Sequence, residues 1–461
     1  MTEAFDAIVI GGGPAGQKAA IQGAKAGKRI LLVDEAGGAG GECVRRGTIP
    51  SKTLRETACA LTGFRARTGG VFELDVRADL QMEALMSRMT RVVEAHAAYI
   101  GKQLARNDVI LWRARARFVD PATIEARGPD GRAKRATAPT IVIAVGSRPR
   151  APEDIHIDHE NILDSDSFLS MGYLPRTLTV LGGGVIASEY ASILASLGCQ
   201  VTMIDRADRP LAFLSPNLSG VFLGAFERAG GRFVGGAAPR AVCWNGVDAV
   251  ETILDSGEMI RADKMLVARG RVANLRGLGL DAAGLAVDGR GVLLVDEACR
   301  TSAPGIYAVG DAIGPPALAS AAMEQGRRAM RHALGLSPPP PAELVPMAIY
   351  TIPEISTVGL SEAEAVKRHG AAVVGRARFD EVARGHIAAA QDGILELVVL
   401  PGSGKLVGVQ IAGEGAAELV HVGQMALIAG MTVDAFVDNL FNFPTLAEAY
   451  RVAALDASSR L

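Results

Sequence analysis

This chain predicts an α/β protein: two Rossmann-like βαβ folds followed by a separate C-terminal α+β domain. Three observations carry that expectation. Near the start, a short apolar strand (Ala7–Ile10), a glycine turn (11–16) and a small-residue helix (about 17–26) follow one another. The same grammar recurs with a strand at 178–181, a glycine turn at 182–187 and a helix to about 197. A four-proline run at 338–341, stiff and extended, then sets off alternating strands and helices. The 461 residues are enough for several domains. The expected division is a first nucleotide domain from 1–150 and 278–337, a second over 151–277, and a C-terminal domain over 346–461.

Composition narrows the class. Hydrophobic residues make up 49% and the formal net charge is −2, as in a folded globular protein. There is no basic run, so no nucleic-acid partner is expected. Apolar stretches are short or broken by charge or glycine, so no membrane-crossing helix is expected. The first residues, Met-Thr-Glu-Ala-Phe-Asp, carry acid and no basic segment, unlike a secretion signal. Cys43, Cys59, Cys199, Cys243 and Cys299 form no CxxC pair. An odd count with wide spacing reads as reduced thiols in a cytoplasm, with no metal site.

The remaining elements follow in order. A strand at 29–34 closes the first βαβ unit, and a strand ending at Asp205 closes the second. Residues 79–106 read as one or two amphipathic helices. Residues 109–135 read as short β-segments with an Asp-Gly turn at 130–131. Apolar runs at 141–144, 265–268 and 306–309 read as buried strands, and 395–400 and 406–411 as strands of the last domain.

The two turns carry phosphate-binding chemistry. Gly11 permits the tight turn, Gly13 lets backbone approach a pyrophosphate, and Gly16 allows close helix–strand packing. Asp34 then lies at a strand end, where a carboxylate can bind a ribose hydroxyl. The second turn has Gly182 and Gly184 but Ala187 in the third place. Its acid, Asp205, suits a 2′-hydroxyl and repels a 2′-phosphate. Arg206 and Arg209 beside it either bind such a phosphate or form a solvated surface. The signal is mixed, and the first alternative would suit a site using both nicotinamides. Asp311, after a strand ending in Gly310, is on its own a turn residue, and Lys52 on its own a surface lysine.

Residues 41–52, Gly-Glu-Cys-Val-Arg-Arg-Gly-Thr-Ile-Pro-Ser-Lys, closely resemble the redox helix of one flavoenzyme superfamily. That superfamily is the pyridine nucleotide-disulfide oxidoreductases, which include lipoamide dehydrogenase and glutathione reductase. The family pattern is Cys, four residues, Cys. Here Cys43 fills the first position and Thr48 the second. Residues 441–448 resemble the family's His-Pro-Thr-x-x-Glu acid/base site, with Phe443 in place of the histidine and Glu448 retained. Residues 301–311 resemble its second FAD fingerprint. Within the superfamily, GTIPSK (47–52), YTIPEIS (350–356) and FNFPTLAEAYRVAAL (441–455) are similar to the soluble pyridine nucleotide transhydrogenases. DSDS (164–167), LAFL (211–214) and LASAA (318–322) agree, and the likeness spans essentially the whole chain. Asp34 departs from the commoner glutamate, and Asp205 is more acidic than an NADPH user would have.

The resemblance implies FAD as cofactor, NAD(H) and NADP(H) as substrates, and reversible hydride transfer from NADPH to NAD+. It also implies homo-oligomerisation through the C-terminal domain. Both nicotinamides would use one flavin face and bind in turn. FAD would be held by Gly11, Gly13, Pro14, Ala15, Gly16, Asp34, Glu35, Gly40, Gly41, Cys43, Thr48, Lys52, Ala114, Gly146, Ser147, Gly310, Asp311, Leu318 and Ala319. NAD(P) would be held by Gly182, Gly184, Val185, Ile186, Ala187, Glu189, Asp205, Arg206, Gly270 and Arg271. Lys52 would lie beside flavin N5, paired with Glu189, and Thr48 would face the flavin. A cation near N5 stabilises negative charge on the reduced flavin. Cys43, without its partner, becomes a small structural residue, and Glu448 a structural carboxylate at the subunit contact.

Three other readings stand beside this one; residues speak against the first and the third, and none excludes the second. A dithiol-disulfide reductase needs a thiol at position 48, and the spacing of Cys59 does not supply one. A diaphorase or quinone reductase uses the same flavin and an outside acceptor. A flavin-binding scaffold without turnover would not need Lys52, Glu189 and both turns.

Overall fold

The structure, a computed structural model, describes residues 2–36, 40–68 and 82–461. The chain divides into two compact units. The first comprises residues 1–50, 86–150 and 270–341, and the second 51–85, 151–269 and 342–461.

The first unit is built on a five-stranded parallel sheet. Its order is Ile306–Ala308, Thr140–Ile143, Ala7–Ile10, Ile30–Asp34, Ile110–Arg113. The register pairs Ala7 with both Ile30 and Thr140, so the strand before the glycine turn is central. Its near-continuous apolar runs are explained by burial on both faces. Side chains alternate along each strand. Ile8, Ile10, Leu31, Val33, Ile141 and Ile143 therefore enter one core, and Ala7, Val9, Ile30, Leu32 and Val142 the other. The first helix, Pro14–Lys25, begins earlier than the expected residue 17 because proline at its start is already set to a helical φ. It packs against helix Ala319–Ala333 so closely that a Cβ on Gly326 would lie 2.1 Å from the Ala15 carbonyl oxygen.

The helical reading of 79–106 appears as one helix, Met82–Arg106; residues 79–81 lie outside the described residues. Residues 115–137 form the expected short strands of a four-stranded sheet, with Gly131 at φ +77° in the turn.

The second unit repeats the doubly wound plan. Its parallel sheet runs Ile162–Asp164, Lys264–Val267, Thr177–Leu181, Gln200–Ile204, Arg232–Val234. The strand preceding the second glycine turn is again flanked on both sides, which is where such sheets hold ligands. The C-terminal residues form a five-stranded antiparallel sheet ordered Met347–Ile349, Ile355–Gly359, Leu406–Ala412, Ile394–Val399, Val373–Arg378. Helices Ala416–Ile428 and Glu448–Ser458 share a core with it, built around the fully buried Tyr450. No helix among the described residues is long and apolar enough to cross a membrane.

Candidate active site

The first turn is fixed by crowding on one side and openness on the other. Gly11 has φ +105°, and a Cβ there would lie 2.3 Å from the Ala144 carbonyl oxygen. At Gly16 a Cβ would lie 1.8 Å from the Gly11 carbonyl oxygen, which admits no side chain. At Gly13 an added Cβ meets nothing within 4 Å, so its backbone faces open space at the start of the helix that begins with Pro14 and Ala15. Helix N-termini present unpaired N–H groups and a partial positive charge, suited to phosphate. Gly40 donates its N–H to the Gly12 carbonyl at 2.9 Å, and a Cβ on Gly41 would lie 2.6 Å from the Gly13 Cα. The short helix Gly41–Arg45, which carries Cys43, is thereby seated against the turn.

Asp34 clasps this turn. Its Oδ2 accepts from the Gly12 N–H at 2.7 Å and its Oδ1 from the Ala36 N–H at 3.0 Å. Ala114 donates its N–H to the Asp34 carbonyl, and Glu35 and Ala114 line a cavity of about 670 Å³ with Arg115, Arg117 and Arg127. Farther along the sheet, Ser147 donates to Asp311 Oδ2 at 2.6 Å and accepts from Arg271 Nε at 2.8 Å. Gly310, next to Asp311, donates to Gln325 Oε1 on the helix that begins at Ala319, with Leu318 as its cap. The structure thus brings Gly146, Ser147, Gly310 and Asp311 together. It groups Gly270 and Arg271, expected with the nicotinamide residues, with this set: strand Arg271–Ala273 pairs with Ser147–Pro149.

The second turn copies the first. Gly182 has φ +127°, with the Ala268 carbonyl oxygen 2.6 Å from an added Cβ, and Gly184 faces open space. Val185 and Ile186 open helix Val185–Ser196. Asp205 Oδ2 accepts from the Gly183 N–H at 2.6 Å and Oδ1 from the Ala207 N–H at 2.8 Å. The turn differs at Ala187, whose Cβ is accommodated, fully buried. The neighbouring arginines separate in role. Arg209 spends its guanidinium on the carbonyls of Ala212 and Leu214 at 2.9 and 2.8 Å, whereas Arg206 is exposed.

Thr48 opens the long helix Thr48–Thr68, and Lys52 follows one turn later on the same face. Lys52 Nζ lies 2.7 Å from Glu189 Oε2, with side chains 23% and 7% exposed. The other oxygen, Glu189 Oε1, accepts from the Tyr350 N–H at 2.8 Å. Lys52 Nζ also sits 4.9 Å from the centre of the Tyr350 ring. One turn beyond, buried Arg55 pairs with Glu354 at 3.0 Å and donates to the Thr351 carbonyl. Ser192 Oγ accepts from the Ile352 N–H at 3.2 Å. Tyr350, Arg55 and Ser192 carried no assigned role in the sequence. The signal was present in the YTIPEIS stretch and in an arginine one turn after Lys52, but both needed the fold to acquire a partner.

A dithiol relay has no means here. None of the five cysteines is joined in a disulfide. Burial pushes Cys59 and Cys299 up to about 11 and Cys199 to about 12, which keeps them protonated and inert. Phe443 is 70% exposed on the C-terminal unit. Glu448 begins helix Glu448–Ser458 and accepts from the Thr445 N–H at 3.3 Å, a structural use.

Two nucleotide folds ahead of an antiparallel C-terminal sheet, with a lysine–glutamate pair and no disulfide, define a flavin- and nicotinamide-binding oxidoreductase. Residues 5–326 match the family model for pyridine nucleotide-disulphide oxidoreductases, and residues 345–454 match that family's dimerisation domain. A soluble pyridine nucleotide transhydrogenase of Mycobacterium bovis (strain BCG / Pasteur 1173P2) is 41% identical over 99% of this chain and 98% of its own. Those of Colwellia psychrerythraea and Yersinia enterocolitica are 38% and 37% identical over the same share of both chains. The crystal structure of LpdA from Mycobacterium tuberculosis superposes with a TM-score of 0.89 at 28% identity, over 97% of this chain and 99% of that one. The flavoprotein disulfide reductase RclA of Escherichia coli, in a Cu(II) complex, shares the fold at 23% identity and a TM-score of 0.89, over 99% of both chains. The chain belongs to the pyridine nucleotide-disulphide oxidoreductases and, within them, to the soluble pyridine nucleotide transhydrogenases.

Proposed function

We propose that the chain binds FAD on its first nucleotide fold, takes NADPH and NAD+ in turn on its second, and passes hydride reversibly between them. The observation that carries this reading is the Lys52–Glu189 pair at 2.7 Å, present beside Thr48 where the dithiol chemistry would need a cysteine. The first turn fits a dinucleotide: open backbone at Gly13, a helix N-terminus behind it, and Asp34 at the strand end.

Bound FAD supplies a centre that takes hydride from one nicotinamide and returns it to another. The chain's own residues do the rest. Gly13, Pro14 and Ala15 receive a pyrophosphate, and Asp34 and Glu35 a ribose. Gly146, Ser147, Gly310 and Asp311 serve the ribityl side. Cys43 and Thr48 close the flavin-facing end without redox chemistry. Lys52 brings its positive charge toward the ring and Glu189 keeps it aimed. Gly184, Val185, Ile186 and Ala187 receive the nicotinamide dinucleotide, with Asp205 at its ribose and Arg206 available to a 2′-phosphate. No proton crosses to a leaving group, so replacing the histidine by Phe443 costs nothing in this reaction.

A second copy of the chain is the expected partner. Val422, Met425 and Ile428 stand exposed on one face of helix Ala416–Ile428, and Leu440 and Phe443 are 93% and 70% exposed. Such apolar exposure suits an interface within the dimerisation domain.

The test is oxygen-free mixing of the yellow protein with NADPH and a spectrally distinct NAD+ analogue. Prompt appearance of the reduced analogue is expected. Flavin bleaching with no onward transfer would overturn the reading and leave reduction of an outside acceptor in its place.

A further inference from the structure

We infer that Tyr350 is a positioning residue for the hydride step, acting on Lys52 and Glu189 together. The inference rests on the reading above in which Lys52 faces the flavin.

Glu189 has two carboxylate oxygens and two strong donors. Lys52 takes Oε2 at 2.7 Å and the Tyr350 N–H takes Oε1 at 2.8 Å. A backbone donor cannot change rotamer, so the carboxylate plane is fixed by the main chain of residue 350. Lys52 is then held from a second side by the same residue. Its Nζ lies 4.9 Å from the ring centre, within the range where an aromatic face attracts a cation. A lysine with one ionic contact swings on four rotatable bonds; one held between a carboxylate and a ring face does not.

The surroundings keep Tyr350 itself in place. Arg55 Cζ lies 5.9 Å from the same ring, and Arg55 binds the Thr351 carbonyl and Glu354. Ile352 donates to Ser192 on the helix that carries Glu189. The Tyr350–Glu354 stretch is thus tied to both helices that supply the catalytic pair. Two like charges one turn apart, Lys52 and Arg55, share one ring and are each matched by a carboxylate. The hydroxyl is not the working part. Burial, with Glu354, Glu418 and Glu189 nearby, pushes the phenol up, so it stays neutral in the working range.

The experiment uses the full-length FAD-loaded protein. Tyr350→Phe keeps the ring and is expected to match the wild type in flavin midpoint potential and in flavin reduction by NADPH. Tyr350→Leu removes the ring and is expected to slow flavin reduction roughly tenfold, with little change in NADPH affinity. Its flavin potential is expected to fall, because a less localised cation stabilises the reduced flavin less. If Tyr350→Leu fails to fold, mono-, di- and trifluorinated phenylalanines at position 350 keep the shape while weakening the ring face stepwise. A potential that falls with each fluorine supports the inference; a flat series, or a Tyr350→Phe loss equal to that of Tyr350→Leu, overturns it. The potential is measured with reductant dyes and no nicotinamide. Failure of hydride transfer in the wild type therefore condemns the transhydrogenase reading without deciding this one.

Discussion

The two glycine turns, 11–16 and 182–187, share their first three glycines and part at the next three places, Pro14 against Val185, Ala15 against Ile186 and Gly16 against Ala187. Both first glycines abut a carbonyl of a neighbouring strand, both second glycines face open space, and both acids hold the same pair of backbone N–H groups. At the third place the first turn tolerates no Cβ at all, whereas the second accommodates Ala187. The comparison separates what makes a dinucleotide turn from what makes it particular. Asp34 and Asp205 are first of all clasps, because each ties its strand end to its turn whatever ligand is present. Each carboxylate oxygen keeps a further lone pair for a ribose. Discrimination between NAD(H) and NADP(H) then falls on what lies beyond the clasp, and Arg206 is exposed there while Arg209 is committed to loop carbonyls.

The sharpest break in the comparison is Gly16→Ala, which forces a methyl into the Gly11 carbonyl oxygen. Loss of bound flavin, read as yellow absorbance per chain, is the expected result. Its mirror, Ala187→Gly, should cost only about 1 kcal/mol of helix stability and leave both nicotinamides binding as before. Equal damage from the two changes would mean the turns are not distinguished by that methyl.

Lys52→Met comes next in size. Hydride transfer should fall about 100-fold, as for loss of one aimed charge, while flavin stays bound. A rate within threefold would remove Lys52 from the mechanism.

A smaller effect separates clasp from discriminator. Asp205→Ala should weaken NADH and NADPH alike, by about 1–3 kcal/mol, because the turn loses two hydrogen bonds. Arg206→Ala should weaken NADPH alone. Dissociation constants for both nucleotides decide this, and an Asp205→Ala variant that simply comes to prefer NADPH would make Asp205 the sensor.

The smallest effect touches one buried thiol in each unit. Cys299 is raised from 9.0 to about 11 and Cys199 from 9.0 to about 12, both by burial. In the unfolded chain these thiols ionise near 9, so unfolding releases protons above that pH. Their contribution to stability is complete below about pH 9 and is lost as pH rises through the folded values, at up to about 1.4 kcal/mol per unit for each thiol. Thermal unfolding should be unaffected by these thiols between pH 7 and 8 and show their loss above 9. Cys199→Ser should lessen that alkaline slope.

Much of this was legible in the chain. Both turns, their central strands, the acids and the loss of Cys and His at positions 48 and 443 are local patterns, written within stretches of about twenty residues. The first helix starts at Pro14 and not at 17 because a proline there is already set to a helical φ. Arg271 was less legible: it stands two residues past the second unit's last residue before it, 269, and strand pairing across 124 residues carries it to Ser147. Glu448 was expected at a subunit contact, and the structure adds that it accepts from the Thr445 N–H.

What the sequence by itself determined is the pair of nucleotide folds, because turn chemistry and apolar periodicity act between near neighbours; the missing dithiol and the missing base follow from its resemblance to the family pattern. What only the tertiary structure decided is the clamp around Glu189. Its two donors lie 137 and 161 residues away, and no local rule selects among the lysines and backbone amides of a chain this long. Packing brings two distant segments to one carboxylate, and a buried charge is stable there because both of its oxygens are satisfied.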